Sequence, residues 1–327
     1  MKAFVLEYGE FKLKEMDDPA PGHGEVLISL KTAGLNRRDL SIPKRYGKDK
    51  EALILGSDGA GIVEKTGEGV TKFKQGDEVI INPSLRWYDN SSVPPEDYDI
   101  LGMPDHGTFA EKIVISEEQL EPKPKHLSWD EAGVTALAAL TGYRALFTRG
   151  ELKKDETLFI PGAGSGVATF LIQFAKNAGA RVIVSSRSEE KRKQALGLGA
   201  DVAIDTESNW EEQLKNETID LVIDSVGKAT FNDSLKILKR GGKIVIFGAT
   251  TEDDVNLDLR KFFYGQYTLL GSTMGSRDEL RDTLKHMNQH QMHPVIDRTF
   301  QLDDTHQALD YLENGNQFGK VALNMKS

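Results

Sequence analysis

Residues 158–167 constrain this chain more than any other stretch. Leu158-Phe159-Ile160-Pro161-Gly162-Ala163-Gly164-Ser165-Gly166-Val167 reads as a short apolar strand, a glycine-rich turn and the first turn of a helix. The stretch opens an alternating series. Strands are expected at Thr157–Ile160, Arg181–Ser185, Val202–Ile204, Asp220–Asp224, Lys243–Phe247 and Tyr267–Leu270. Helices are expected between them at Gly166–Ala178, Glu189–Leu198, Trp210–Lys215 and Ala229–Lys239. Gly179 and Gly199 stand where helix C-caps belong, because a residue without Cβ enters the left-handed region freely. Strands separated by helices at this spacing form a parallel sheet with helices on both faces.

The chain before this series has a different texture. Short alternating runs at Lys2–Leu6, Glu25–Thr32, Ile62–Lys65, Glu78–Asn82 and Phe109–Ile115, punctuated by Gly and Pro, read as β-strands. Gly76-Asp77 is a turn feeding one of them. From Asn82 to Gly107 runs a polar excursion containing Pro83, Pro94, Pro95 and Pro104, long enough to suggest a functional loop or lid. The texture changes at Pro122-Lys123-Pro124. Ser128 and Glu131 fit a capping box, after which Ala132–Phe147 reads as one buried helix. Ser276 and Glu279 fit a second box, opening a helix to Gln289; beyond it come a strand, a helix at Thr305–Glu313 and a strand at Val321–Asn324. A chain of 327 residues exceeds one core, so two domains are expected.

Charge and composition exclude several classes of function. Lys and Arg number 41 against 51 Asp and Glu, a net charge of -10, which argues against nucleic acid or an anionic membrane surface as partner. No apolar run approaches the ~20 residues that span a bilayer, and Met1 to Glu10 lacks the pattern of a secretory signal. A cytoplasmic protein is expected. There is no cysteine, hence no disulfide, no thiolate nucleophile and no Cys-ligated zinc. The histidines are scattered, and the His286/His290 pair on a charged helix reads as a surface pair.

The glycine-rich turn is a candidate phosphate cradle. In G-x-G-x-x-G, Gly162 and Gly164 fill the first two places and Val167 the third; one register on, the places are Ala163, Ser165 and Ala168. A bare αβ connection would use similar residues, but strand before and helix after are the context the motif requires. Gly162, Gly164, Ser165, Gly166 and Val167 are therefore expected to lie against a pyrophosphate, facing the free N–H groups of a helix N-terminus. Where the second strand ends, an acidic residue would bind the ribose 2′-OH of NAD. Here Ser185, Ser186 and Arg187 stand in succession, with Lys191 and Arg192 beyond. A hydroxyl and cations suit a 2′-phosphate, so NADPH is expected over NADH, though such cations also suit a solvated helix face.

With these features in place the chain resembles the medium-chain dehydrogenase/reductase superfamily, in its zinc-free, quinone-oxidoreductase-like branch. The landmarks run in order: Gly34-Leu35-Asn36 with Asp39, Gly56-Ser57-Asp58-Gly59-Ala60-Gly61, Gly76-Asp77-Glu78-Val79, Gly107-Thr108-Phe109-Ala110-Glu111, Leu140-Thr141-Gly142-Tyr143, Asp224-Ser225-Val226-Gly227 and Phe318-Gly319-Lys320-Val321. The resemblance implies an α/β protein with a β-rich GroES-like catalytic domain, 1–122 completed by 271–327, and a doubly wound Rossmann cofactor domain, 123–270. Zinc-dependent members place metal ligands where this chain has Asn36, Ser57 and Leu137, and four Cys in the lobe that here is Ser84–His106. None of these positions offers a good zinc ligand, so no metal site is expected.

The activity implied by this resemblance is NADPH-dependent hydride transfer to quinones or α,β-unsaturated carbonyls, whose conjugation spreads the incoming charge. Asn36 would donate to a carbonyl, Tyr46 would donate or wall the pocket, and Thr141 would position the nicotinamide. Lys320 and the backbone at Phe247 and Gly248 would touch the cofactor. Each also has a plain structural reading: a turn residue at Asn36, a loop aromatic at Tyr46, a helix-interior hydroxyl at Thr141. Arg37 and Arg38 lie where zinc members use a proton relay and a cofactor phosphate contact, and Ser41 stands where a relay histidine would. A homodimer through the strand at Tyr267–Leu270 is implied. An enoyl-thioester reductase, with Lys44, Arg45, Lys48 and Lys50 meeting a carrier phosphate, and a non-catalytic NADPH sensor remain alternatives.

Overall fold

The alternating runs near the N-terminus pair as antiparallel strands. In the computed structural model, which describes residues 1–325, they are β1 (Lys2–Glu7), β2 (Glu10–Glu15), β3 (Glu25–Gly34), β4 (Leu53–Ile54), β5 (Asp58–Thr66), β6 (Glu78–Ile81), β7 (Ser84–Leu85), β8 (Asp99–Ile100), β9 (Lys112–Ser116) and β10 (Leu120–Pro122). Helix α1 (Ile42–Tyr46) lies among them; α2 (Trp129–Gly133) and α3 (Ala136–Tyr143) come after. The turn joining β1 to β2 has φ of 51° at Tyr8 and 81° at Gly9. Positive φ at both central residues suits the right-handed twist of a hairpin.

The second strand-rich stretch alternates with helices as its spacing predicts. It comprises β11 (Thr157–Pro161), α4 (Gly166–Asn177), β12 (Arg181–Ser186), α5 (Glu189–Leu198), β13 (Val202–Asp205), α6 (Trp210–Gln213), β14 (Ile219–Asp224), α7 (Lys228–Ile237), β15 (Leu238–Ile246), α8 (Leu259–Gly265) and β16 (Thr268–Gly271). The six strands are parallel in the order β13-β12-β11-β14-β15-β16, the Rossmann order expected. Phe159, Ile183, Val222, Phe231 and Ile244 fill its core. Chain order reverses between β11 and β14, the switch point at which such sheets bind ligands.

The chain then supplies α9 (Arg277–His290), β17 (Ile296–Gln301), α10 (Thr305–Asn314) and β18 (Lys320–Asn324). Strand β18 pairs with β3, and the larger β-sheet runs β10-β6-β5-β3-β18-β17 with β9 also on β3. Apolar side chains from both ends of the chain, including Ile28, Val63, Ile113, Val321 and Leu323, share its core. This is the β-rich GroES-like half of the expected architecture. Among the described residues no helix is long and apolar enough to cross a membrane.

Two boundaries are corrected. The compact units are Met1–Leu140 with the chain from Gly275 on, and Thr141–Met274; the change of texture at Pro122 together with the resemblance suggested 1–122 with 271–327, and 123–270. Helix α2 belongs to the β-rich unit because it packs against β3. A Cβ on Gly133 would lie 2.6 Å from the Thr32 carbonyl oxygen, and Thr32 Oγ1 donates to Asp130 Oδ1 at 3.0 Å. The second correction is local. The apolar run to Phe147 is not one helix: α2 stops at Gly133, α3 restarts at Ala136, and Arg144–Arg149 forms a π-helical turn.

The polar excursion folds around an aromatic pair rather than around metal ligands. Trp87 is buried and meets Tyr98 edge to face at 5.4 Å, while its Nε1 donates to Ser91 Oγ at 2.9 Å. The carbonyls of Trp87 and Tyr88 accept the first N–H groups of α9, from Arg277 and Asp278, at 2.8 and 3.1 Å. Both capping boxes, at Ser128/Glu131 and Ser276/Glu279, are formed as their spacing predicts.

Candidate functional site

Strand register assembles a buried polar cluster in the β-rich unit. Gly34 at the end of β3 pairs with Asp58 at the start of β5 and with Ala322 in β18. Asn36, Asp58 and Lys320 are thereby brought together, although Lys320 stands 284 residues from Asn36. Lys320 Nζ donates to the Leu35 carbonyl at 2.8 Å, Asn36 Oδ1 at 2.6 Å and Asp58 Oδ2 at 3.1 Å. Asn36 Nδ2 donates to Asp58 Oδ2 at 2.9 Å and, weakly, to the Gly34 carbonyl at 3.4 Å. Asp58 Oδ1 accepts the Leu137 N–H at 2.6 Å, at the first turn of α3, where the free N–H groups of a helix favour an anion.

This is a buried ion pair, with side-chain exposures of 3% for Lys320 and 0% for Asp58. Such a pair persists only when every remaining donor and acceptor is met. Here all three ammonium hydrogens are committed. Sequence reasoning marked Lys320 as a cofactor contact. Its partners are instead Leu35, Asn36 and Asp58, all within its own unit. The amide hydrogens of Asn36 are spent in the same way.

The three positions that the resemblance assigns to zinc ligands thus converge on one locality. Asn36 and Leu137 both bond to Asp58, and Ser57 precedes it. Ser57 Oγ donates to the Leu101 carbonyl at 2.7 Å and accepts from Arg38 Nη1 at 2.6 Å. Arg38 Nη1 also reaches the Leu101 carbonyl, at 2.9 Å. Among the described residues no group of three His, Asp or Glu side chains comes together as a metal site would require. Beside Arg38, Asp39 is fully buried: its Oδ2 accepts the Asn36 N–H at 2.7 Å and its Oδ1 has no partner among the described residues. Burial pushes its pKa up to about 6, against the opposing pull of Arg38.

Tyr46, at the end of α1, is half-buried, and its hydroxyl donates to the Glu51 carbonyl at 3.2 Å. With Leu53, Leu101, His106, Tyr88 and Arg86 it lines a groove of about 590 Å³. The His106 ring accepts the Ile54 N–H on Nδ1 at 3.1 Å, which defines a neutral tautomer, and burial lowers its pKa. Thr141 is buried in the last turn of α3, where the other unit begins.

In the parallel-sheet unit the glycine-rich turn has the geometry a pyrophosphate needs. Gly162 has φ of +79°, and a Cβ there would lie 3.1 Å from Val226 Cγ2, across the switch point. The N–H groups of Gly162 and Ala163 both donate to the Ser185 carbonyl, tying the turn to the end of β12. Ser165 caps α4 by accepting the Ala168 N–H at 3.1 Å. Gly166 and Val167 open the helix with no carbonyl one turn back to accept their N–H groups, the arrangement that binds anions. Phe247 and Gly248 lie just beyond β15; Phe247 N–H donates to the Asp224 carbonyl at 3.1 Å.

At the end of β12 the expected phosphate residues have different fates. Ser186 Oγ accepts the Ser188 N–H at 3.2 Å and keeps its own hydrogen. Arg187 is exposed and makes no hydrogen bond or ion pair among the described residues. Lys191 lies in the first turn of α5, its N–H capped by Ser188. Arg192 is structural: its Nη1 bonds the Ser186 carbonyl at 2.6 Å and Asp205 at 3.0 Å. Sequence reasoning missed Asp224 as an organiser. Its Oδ1 accepts from Val226 and Gly227 and its Oδ2 from Thr230, which shapes the turn after β14. An Asp two and three residues before the N–H groups it caps is the local signal that could have found it.

Comparison with known proteins agrees with both halves. An alcohol dehydrogenase GroES-like domain matches residues 22–125, and a zinc-binding dehydrogenase domain matches residues 166–289. The acryloyl-coenzyme A reductase of Sulfurisphaera tokodaii is 33% identical, over 99% of this chain and 99% of its own. Among solved structures, an NAD-dependent alcohol dehydrogenase is 34% identical with a TM-score of 0.92, covering 100% of both chains. The crotonyl-CoA carboxylase/reductase AntE, in complex with NADP, is 25% identical with a TM-score of 0.87, covering 99% of this chain and 94% of its own.

Proposed function

This chain belongs to the medium-chain dehydrogenase/reductase superfamily of NAD(P)-dependent oxidoreductases, and from that premise we propose that it reduces α,β-unsaturated carbonyl compounds or quinones with NADPH and without zinc. One observation carries the reading. The positions at which zinc-dependent members hold their metal are occupied by an amide, a hydroxyl and an aliphatic side chain, gathered around the buried Lys320–Asp58 pair. An amide spent on Asp58, a hydroxyl shared by Arg38 and Leu101, and a leucine give zinc no donor set. Alcohol oxidation leans on a Lewis acid to hold an alkoxide, whereas an electron-poor acceptor spreads its own charge.

When bound, the reduced nicotinamide supplies the hydride. The chain's own residues bind and orient. The turn Gly162, Gly164, Ser165, Gly166 and Val167 holds the pyrophosphate. Ser186 and Arg187 take the 2′-phosphate, with Lys191 adding positive charge. The backbone at Phe247 and Gly248 borders the dinucleotide, and Thr141 orients the nicotinamide. Tyr46 walls the acceptor groove. Asn36, its amide committed, acts by positioning Lys320 and Asp58. A homodimer forms through the edge strand β16 and the helix α8 that precedes it: Leu269 of β16 exposes 42% of its surface, and Phe263, Tyr264 and Leu259 of α8 expose 51%, 59% and 69%.

A second reading, an enoyl-thioester reductase, has its own support. Relatives bear the names acryloyl-coenzyme A reductase and crotonyl-CoA carboxylase/reductase. Lys44, Arg45, Lys48 and Lys50 are exposed and make no ion pair among the described residues, so they can meet carrier phosphates. The chemistry is shared, because an enoyl thioester is itself an α,β-unsaturated carbonyl. The test is NADPH and NADH consumption by chelator-treated protein with a simple quinone, a simple enone and an enoyl-CoA. Turnover that survives chelation and prefers NADPH supports the zinc-free reading. Turnover with the enoyl-CoA alone selects the second reading. Activity that needs added zinc refutes both.

A further inference from the structure

We propose that Arg38 is the residue that holds the acceptor's carbonyl oxygen as hydride arrives, replacing the electrophile that a metal would supply. The inference rests on the reading of the acceptor as a conjugated carbonyl. Adding a hydride to the β-carbon of an enone breaks the C=C π bond and places the electron pair on the carbonyl oxygen. A proton from water later completes the α-carbon, and the nicotinamide is left oxidised. The oxygen that bears this charge needs a donor already in place.

In the buried cluster around Asp58, Arg38 is the side chain that keeps hydrogens to give among the described residues. Lys320 has spent its three hydrogens, on Leu35, Asn36 and Asp58. Asn36 has directed its amide to Asp58 and Gly34. The Ser57 and Tyr46 hydroxyls point to the carbonyls of Leu101 and Glu51. Arg38 carries five N–H bonds in a rigid fork. The two on Nη1 anchor it, at 2.6 Å to Ser57 Oγ and 2.9 Å to the Leu101 carbonyl. Its Nε and Nη2 hydrogens have no partner among the described residues, and neither nitrogen is sealed from solvent.

Three further observations agree. Arg38 is half-buried yet forms no salt bridge among the described residues, an arrangement that leaves its charge for a ligand. Its anchor, Leu101, lines the groove that Tyr46 also lines. Neighbouring Arg37 is exposed, and among the described residues its Nη1 reaches the Leu312 carbonyl at 3.4 Å. Burial lowers the proton affinity of the Arg38 guanidinium, which strengthens it as a hydrogen-bond donor without discharging it.

The test compares wild type with Arg38→Ala and Arg38→Lys on a simple enone, measuring kcat, KM and NADPH affinity. Loss of one preorganised oxyanion donor lowers kcat by about 10²–10³-fold. That loss is expected in Arg38→Ala, with NADPH affinity within about twofold of wild type. Partial rescue of Arg38→Ala by millimolar guanidinium is expected, and a merely structural arginine would show none. Arg38→Lys guards against misfolding: it keeps charge and stem, and should fold as wild type while remaining well below it in kcat. Unchanged kcat in either folded variant overturns the assignment while leaving the enone reading intact. A fall in NADPH affinity with kcat unchanged overturns it in favour of a cofactor contact. Absence of enone turnover in wild type overturns the reading of the acceptor, and this assignment with it.

Discussion

Replacing Asp39 by Asn should stabilise the protein at neutral pH, and by an amount that vanishes in acid. Asp39 is buried, with one oxygen on the Asn36 N–H and the other without a partner among the described residues. Each pKa unit is worth ~1.4 kcal/mol, so the rise from 3.8 to about 6 places about 3 kcal/mol of destabilisation on the ionised group. The direction is set by proton binding. Below 3.8 the carboxyl is neutral in both the folded and unfolded chain and costs nothing. Between 3.8 and 6 the folded chain holds a proton that the unfolded chain has lost, so stability falls as pH rises. Above 6 the full cost persists. An asparagine keeps the acceptor for the Asn36 N–H and carries no charge, but leaves an amide N–H unpaired where Oδ1 stands, at a cost of about 1 kcal/mol. The net gain is about 2 kcal/mol at about pH 7.5 and close to zero at about pH 4.5. Urea unfolding at the two pH values, followed by the fluorescence of Trp87 and Trp129 in the β-rich unit, measures it. A loss confined to neutral pH would show Asp39 ionised and well paired, and a gain equal at both pH values would show that its ionisation carries no cost; either result would refute the argument.

Three other outcomes are expected. Lys320→Met leaves Asp58 buried without its cation and should cost about 3–5 kcal/mol, read as a lower urea midpoint; a variant of unchanged stability with weakened NADPH binding would restore Lys320 to the cofactor. Arg187→Ala should raise KM for NADPH about tenfold, the loss of about 1.4 kcal/mol, and leave KM for NADH alone; equal effects on both would remove Arg187 from the 2′-phosphate. Trp87→Ala should cost about 3–5 kcal/mol and loosen the start of α9, seen as faster amide exchange at Arg277 and Asp278; unchanged exchange would separate the lobe from that helix.

Much of the fold is written in neighbours along the chain. The alternation from Thr157 to Gly271 implies a parallel sheet because each strand, turn and helix declares itself within about ten residues. The capping boxes at Ser128 and Ser276 and the turn at Gly162 are equally local, and each forms where its residues stand. Elements with weaker periodicity escaped. Strand β2 was hidden behind a Tyr8-Gly9 turn in which a tyrosine takes positive φ, and α8 is a short helix with an exposed apolar face. The absence of cysteine and the identities of Asn36, Ser57 and Leu137 also needed no coordinates.

Tertiary structure alone decided which donors and acceptors are already spoken for. Gly133 against Thr32 moved α2 into the β-rich unit, a contact between residues a hundred positions apart that no periodicity reports. Lys320, Asn36 and Asp58 each carry a plausible chemistry in isolation, and only the pairing of β18 with β3 shows that they satisfy one another. Arg38, between two candidates in sequence, emerges with hydrogens unspent because its neighbours' are used up. Local pattern dictates secondary structure because backbone periodicity is short-ranged. Hydrogen-bond saturation belongs to the folded chain, because it depends on every buried partner at once.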